Sequence, residues 1–294
     1  MRKLIVAALF LVFVFTFGQV AGGPALAAQD VHWTYEGHEG PEHWGELSKD
    51  YAACSEGHEQ SPINIPSSAP TNPFGILFNY MPSKLNVVNN GHTIQINYDA
   101  GSSIMVDGET YDLLQFHFHA QSEHTIKGKY SPMEVHFVHR SASGKLAVVG
   151  ALMSQGAENA AYAPVMSNLP ATASGVQTVP GVTIDADDLL PVDHDYYRYN
   201  GSLTTPPCSE GVKWLLMSHP LELSGAQITA YTTIYAHTNR PVQPFYDRTF
   251  FVGGKAVVGM PKSGNENSTA WLVVLGVIGF ASLGGGVALS RRKS

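Results

Sequence analysis

The segment Phe116-His117-Phe118-His119-Ala120-Gln121-Ser122-Glu123-His124, followed shortly by Met133-Glu134-Val135-His136-Phe137-Val138-His139, offers three imidazoles that one metal ion could collect. His117 and His119 stand two apart in a β-rich run, so a strand points both to one face and Phe116 and Phe118 to the other. Residues 124–131 carry Gly128 between Lys127 and Lys129. That reads as an antiparallel turn, after which a return strand brings His136 alongside the pair. Three nitrogen donors with one open position form the donor set of catalytic zinc. An HxH pair alone is common among ordinary histidines, and its neighbours add the specificity. Gln115 lies two before His117 and Glu134 two before His136, each on its histidine's face. They are suited to accept the second ring N–H, which fixes tautomer and ring angle. His139, an odd number of residues from His136, belongs to the opposite face.

These residues sit among short apolar runs separated by turn residues: 85–91, 92–99, 103–108, 113–119, 133–140 and 146–154. Helical periodicity is scarce, and one helix is expected within 157–168. The pattern predicts a mainly β single domain built on a large, mostly antiparallel sheet with few short helices.

The ends read differently. Met1-Arg2-Lys3 precedes an apolar run that closes on Ala25-Leu26-Ala27, the pattern of a secretory signal peptide over 1–27. At the other end, Met260-Pro261-Lys262-Ser263-Gly264 precedes an apolar stretch over 270–289 and a basic tail over 291–294. This tripartite order over 260–294 resembles the sorting signals that a sortase cuts before joining a surface protein to peptidoglycan in Gram-positive bacteria. Met260 and Ser263 depart from the usual LPxTG letters. A retained single-span membrane anchor is the other reading, since about 20 apolar residues suffice to cross a bilayer. Either way the expectation is an exported, cell-surface protein with its domain over 28–259. The 28–263 segment carries 12 basic and 23 acidic residues, a net charge of −11. Nucleic acid is therefore not an expected partner. Cys54 and Cys208 are the only cysteines, and in an exported chain they are expected to pair.

Across nearly the whole of the expected domain, a series of short segments resembles the alpha-class carbonic anhydrases in identity and order. They are Trp33, Tyr35 and Gly40-Pro41-Glu42-His43-Trp44; Gln60-Ser61-Pro62-Ile63-Asn64-Ile65; Asn90-Gly91-His92; the two histidine segments; Gly201-Ser202-Leu203-Thr204-Thr205-Pro206-Pro207; and Asn239-Arg240-Pro241-Val242-Gln243. Cys54 and Cys208 also match the disulfide of exported members.

The resemblance implies a twisted sheet with zinc (Zn2+) at the base of a conical cleft, held by His117, His119 and His136. It implies reversible hydration of carbon dioxide to bicarbonate by attack of zinc-bound hydroxide. Glu123 and Thr204 would gate that attack and His92 would shuttle the proton. It further implies an apolar wall of Val138, Val148, Leu203 and Trp214, with Tyr35, Asn90, Gln95 and Thr205 on the polar side. Ala120 and Arg140 stand where animal members usually carry Trp. Two rival functions have their own signatures in sequence. A catalytically inactive surface binding module or adhesin of the same fold would be marked by loss of a ligand histidine, and all three are present. A metallo-β-lactamase-type hydrolase needs Asp-His directly after the clamp, where Gln121 and Ser122 stand instead.

Overall fold

The computed structural model describes residues 31–66, 71–72 and 75–253. The expected signal peptide, sorting pentapeptide, apolar stretch and basic tail lie outside the described residues. Among those described, no helix is long and apolar enough to cross a membrane.

Fifteen strands are described. The first eight are β1 Asn64–Ile65, β2 Thr71–Asn72, β3 Leu77–Asn79, β4 Ser83–Asn89, β5 Ile94–Asn97, β6 Ser103–Val106, β7 Glu109–His119 and β8 Thr125–Ile126. They are followed by β9 Met133–Ser141, β10 Leu146–Gln155, β11 Gln177–Ile184, β12 Tyr196–Ser202, β13 Glu210–Met217, β14 Leu221–Leu223 and β15 Phe250–Gly253. β1 and β8 form a small parallel pair, and the other thirteen strands form one sheet whose main path runs β11-β4-β5-β7-β9-β10-β13-β12-β15-β2. Most ladders are antiparallel, as the short turns between runs imply. Within the large sheet, β10 with β13, β10 with β14 and β15 with β2 run parallel. The expected helix is a single turn, α3 Ala163–Met166, after α1 Trp44–Leu47 and α2 Ala53–Glu56; the longest is α4 Gly225–Thr232. α4 is started by a capping box, in which Ser224 Oγ accepts from Gln227 N and Gln227 Oε1 accepts from Ser224 N.

The sheet separates two environments. Ile94, Ile96, Phe116, Phe118, Val135, Phe137, Val149, Ala151 and Leu215 face the main hydrophobic core, while Val148, Trp214 and Leu216 belong to a second cluster on the other face. What puts the histidines on that second face together is a single irregularity in β7. Tyr111, Asp112 and Leu113 pair with Ser141, Arg140 and His139, but the pairing then shifts by one residue, so that Gln115 opposes Val138 and His117 opposes His136. Directly opposed residues in an antiparallel ladder share a face. Continuing the first register would set His117 against Val135 and send His117 and His119 to the core side, away from His136 on the unbroken strand β9. The extra residue, Leu114, is a β-bulge that reverses which set of β7 side chains faces the cleft. Leu113 and Gln115 accordingly diverge, Leu113 into the main core and Gln115 towards His117.

Gly128 does turn the chain. Lys127 and Gly128 have φ of 53° and 72°, and Ile126 and Lys129 exchange backbone hydrogen bonds at 3.2 and 3.1 Å. Positive φ at both central residues is the geometry that glycine eases in a two-residue hairpin. This hairpin lies within the excursion between β7 and β9.

Deleting Leu114 removes the bulge but leaves Leu113 opposite His139 and Gln115 opposite Val138 as neighbours in a regular ladder, with His117 still opposite His136. The expected outcome is a β-rich protein by circular dichroism that keeps its zinc by metal analysis, whereas inserting one alanine between Gln115 and Phe116 turns His117 and His119 to the core face and should drop zinc content to background. A Leu114→Ala protein, which keeps the extra residue, should hold zinc as well as the parent does.

Candidate metal centre

His117 and His119 leave β7 on the cleft face and meet His136 from β9, and one ring nitrogen from each lies within 4.8 Å of the other two. Each imidazole is held through its remaining nitrogen by a different partner. His117 Nδ1 bonds Gln115 Oε1 at 2.9 Å, His119 Nδ1 donates to the Thr238 carbonyl at 2.6 Å, and His136 Nε2 donates to Glu134 Oε1 at 2.8 Å. These bonds leave the lone pairs of His117 Nε2, His119 Nε2 and His136 Nδ1 for one another's side of the cleft.

The electrostatics favour neutral donors. Burial lowers all three imidazoles below the ordinary histidine range, that of His119 to about 4, and the like-charged forms of their neighbours add to the effect at His117 and His136. At neutral pH the rings are therefore free bases, the form that binds metal. His119 Nε2 is buried with no hydrogen-bond partner. Leaving such an atom unpaired costs about 1–3 kcal/mol, and a cation at the shared focus would satisfy it. The residues fit zinc.

Glu134 is the hub behind them. Burial alone would push its carboxyl up, but His124 and His136 outweigh that and hold it ionised. Its Oε2 accepts from the backbone N–H of Glu123 and of His124, each at 2.8 Å, and its Oε1 accepts from His124 Nδ1 at 2.7 Å. Behind His124, Tyr199 OH bonds Nε2 at 2.6 Å and Ser61 Oγ at 2.9 Å. Space for this hub depends on Gly150, which pairs with His136; a Cβ there would lie 2.9 Å from Leu216 Cδ1 and 3.3 Å from Glu134 Oε1.

Glu123 sits over the imidazoles, with Oε1 3.6 Å from His119 Nδ1 and Oε2 3.9 Å from His136 Nδ1. Its Oε1 accepts from the backbone N–H of Arg240 at 2.9 Å. Burial pushes its carboxyl up to about 7, opposed by His136, the Arg240 N–H and the hydroxyl of Thr204. Thr204 is buried and near enough to favour the ionised carboxylate, yet Oε2 has no hydrogen bond of normal length. The Thr204 hydroxyl thus approaches Glu123 without closing a bond of normal length.

The apolar residues form one row across three strands. Val138 opposes Val148, and Val148 opposes Trp214, with Leu203 packed against the same cluster. On the other side Gln95 opposes His117 and donates from Nε2 to Asn97 Oδ1 at 2.6 Å. Tyr35 is close enough to Glu123 for that carboxylate, after burial, to hold its hydroxyl protonated. Thr205 lies on the loop after β12 and its carbonyl accepts from Cys208 N at 2.9 Å. Asn90 lies on the turn before β5. Its Oδ1 accepts from His92 N at 3.0 Å and Thr93 N at 2.9 Å, so the side chain shapes the turn that presents His92. His92 is half-buried and stacked on Trp33, ring centroids 3.8 Å apart and planes within 8°. Cys54 and Cys208 are bonded, and beside them Trp44 packs against Trp33 and Tyr35. His139 points to the opposite face, where Nε2 bonds Tyr80 OH at 2.8 Å.

Two contributors were not singled out from the sequence. Thr238, besides holding His119, donates its backbone N–H to the Ala120 carbonyl at 2.6 Å and accepts from Ala120 N through Oγ1 at 3.1 Å. Arg240, two residues on, holds Glu123. Their contacts span more than a hundred residues, and only the Asn239-to-Gln243 match hinted at them. Tyr231 on α4 supports the same strand by donating to the Phe118 carbonyl at 2.7 Å.

The family model for eukaryotic-type carbonic anhydrases matches residues 39–252. A carbonic anhydrase of Klebsiella pneumoniae is 45% identical over 221 residues, covering 74% of this chain and 89% of the relative. One of Pectobacterium carotovorum is 43% identical over 226 residues, covering 76% and 92%. The solved alpha-carbonic anhydrase of Thermovibrio ammonificans, in complex with sulfanilamide, superposes with a TM-score of 0.73 at 42% identity, covering 75% of this chain and 99% of that one. With the sheet, the three-histidine focus and these likenesses together, the chain belongs to the alpha-class, eukaryotic-type carbonic anhydrase family.

Proposed function

We propose that the enzyme hydrates carbon dioxide reversibly with zinc held by His117, His119 and His136. The observation that carries this is the convergence of three neutral imidazoles, one with an orphaned ring nitrogen, on a common focus. Zinc, when bound, supplies the positive charge that brings the pKa of a water to about 7, the value already established for this class of enzyme. The chain's own residues do the rest. Gln115, the Thr238 carbonyl and Glu134 keep each ring in the donating tautomer. Glu123 Oε2 is the free acceptor available to the Thr204 hydroxyl, which then has only its lone pair to offer the attacking oxygen's hydrogen and so aims that oxygen. The Thr204 backbone N–H receives the negative charge that develops on a substrate oxygen. The row of Val138, Val148 and Trp214, with Leu203 beside it, holds carbon dioxide by dispersion and keeps water from that side. His92 takes the proton outward from its stacked position on Trp33.

The amino-terminal run and the tripartite carboxyl-terminal segment support export and display on a cell surface, by sortase-catalysed attachment to peptidoglycan. Intact Ser263-Gly264 peptide recovered by mass spectrometry from the mature surface protein would favour a retained membrane anchor over wall attachment.

His119→Ala is expected to lose zinc on metal analysis and nearly all carbon dioxide hydration, and Gln115→Ala to weaken zinc binding by about 10–100-fold. Full hydration by a verified metal-free enzyme would refute the zinc reading. His92→Ala is expected to slow hydration in weak buffer, with much of the rate restored by small imidazole buffers. Exchange between carbon dioxide and bicarbonate at equilibrium, which exports no net proton, should change little. An unchanged hydration rate in weak buffer would assign the shuttle elsewhere.

A further inference from the structure

Arg240 is 1% exposed, yet its guanidinium bonds only neutral acceptors among the described residues. Nη1 donates to Gln60 Oε1 and to the Ser61 carbonyl, each at 2.8 Å, and Nη2 donates to the Cys54 carbonyl at 2.7 Å. The Trp44 ring lies 5.8 Å from its Cζ, and Nε is buried without a partner. Taking a guanidinium out of water without a carboxylate bonded to it is expensive, and an apolar residue of similar volume would serve stability as well or better. The arrangement is therefore better explained by what it positions.

Gln60, which accepts from Arg240, donates through Nε2 to the Cys208 carbonyl at 3.1 Å. Both halves of the disulfide thus offer their carbonyls to one Gln60-Arg240 pair. A few residues downstream, Gln243 N donates to the Pro62 carbonyl at 2.8 Å, so the 240–243 segment is tied at two points to the 60–62 segment. The backbone N–H of Arg240 itself, at the centre of this frame, donates to Glu123 Oε1 at 2.9 Å.

We propose that Arg240 is a positioning residue for the hydration reaction. Its guanidinium anchors its own peptide unit to the disulfide-bonded amino-terminal segment, so that the peptide N–H holds one oxygen of Glu123 and turns the other towards Thr204. This rests on the reading of Glu123 as the acceptor for Thr204, and the disulfide is part of the frame that aims it.

The test is a double-mutant cycle on the zinc-loaded full chain, with Arg240→Gln and Glu123→Gln made singly and together. Arg240→Gln should lower kcat by about 10–100-fold, the scale of an ångström-sized misplacement, with KM little changed and one zinc per chain retained. Amide hydrogen exchange, followed by mass spectrometry, should show faster exchange over 238–241. In the Glu123→Gln background the Arg240 substitution should add no further loss, which a general structural effect would not produce. Arg240→Lys, which keeps charge and stem but cannot bridge Gln60 and Cys54, provides the same cycle if the Gln variant does not fold, and it should fall between Gln and the parent. Unchanged kcat in a folded Arg240 variant, or an equal further loss in the Glu123→Gln background, would overturn the proposal. Parental turnover in Glu123→Gln alone would overturn the reading of Glu123 first, and this proposal with it.

Discussion

The pairing register of β7 against β9 is the constraint on which the metal centre depends. Antiparallel pairing admits only two answers to which face a side chain takes, and one inserted residue exchanges them. Leu114 is that residue, and the shift it causes lets one strand serve two purposes. Before the bulge, Tyr111 and Leu113 serve the main core; after it, Gln115, His117 and His119 line the cleft while Phe116 and Phe118 serve the core. β9 runs unbroken and places His139 among core side chains and His136 in the cleft by alternation alone, so the step in β7 is what brings His117 and His119 to the face of His136. Were Leu114 paired within the first register instead, no choice of rotamer would gather the three rings, because a side chain cannot reach through the sheet.

Once the rings are gathered, burial decides their protonation and hydrogen bonding decides their orientation. The two effects reinforce each other. Burial removes the imidazolium forms, and each remaining N–H then needs an acceptor, since an unpaired buried donor is costly. Gln115, the Thr238 carbonyl and Glu134 are those acceptors, three chemically different groups reached from three directions. Glu134 carries the largest share. A carboxylate in so dry a place is tolerable only because two backbone N–H groups and two imidazoles surround it. The absence of a side chain at Gly150 leaves its space open.

Much of this was legible in the sequence for a simple reason: period-two alternation and turn residues are local signals. The runs at 85–91, 113–119, 133–140 and 146–154 all fall on strands, and the partners two residues before His117 and His136 could be read from strand geometry. The bulge was not legible, because Leu114 stands in an apolar run and differs in no way from its neighbours. Nor were Thr238 and Arg240, whose roles exist only through contacts with residues far away along the chain. The parallel pairing of β10 with β13 was likewise hidden, since it joins strands separated by some sixty residues.

The order of the site's parts along the chain has a consequence for biosynthesis. All three imidazoles, Glu123 and Glu134 have left the ribosome well before Thr238 and Arg240 have been translated. A nascent chain can therefore own a complete set of nitrogen donors while the peptide units that orient His119 and steady Glu123 do not yet exist. Metal captured at that stage would meet an unfinished coordination environment. The last few dozen residues of the domain, which close over donors made long before them, thus determine when the polypeptide becomes a competent enzyme.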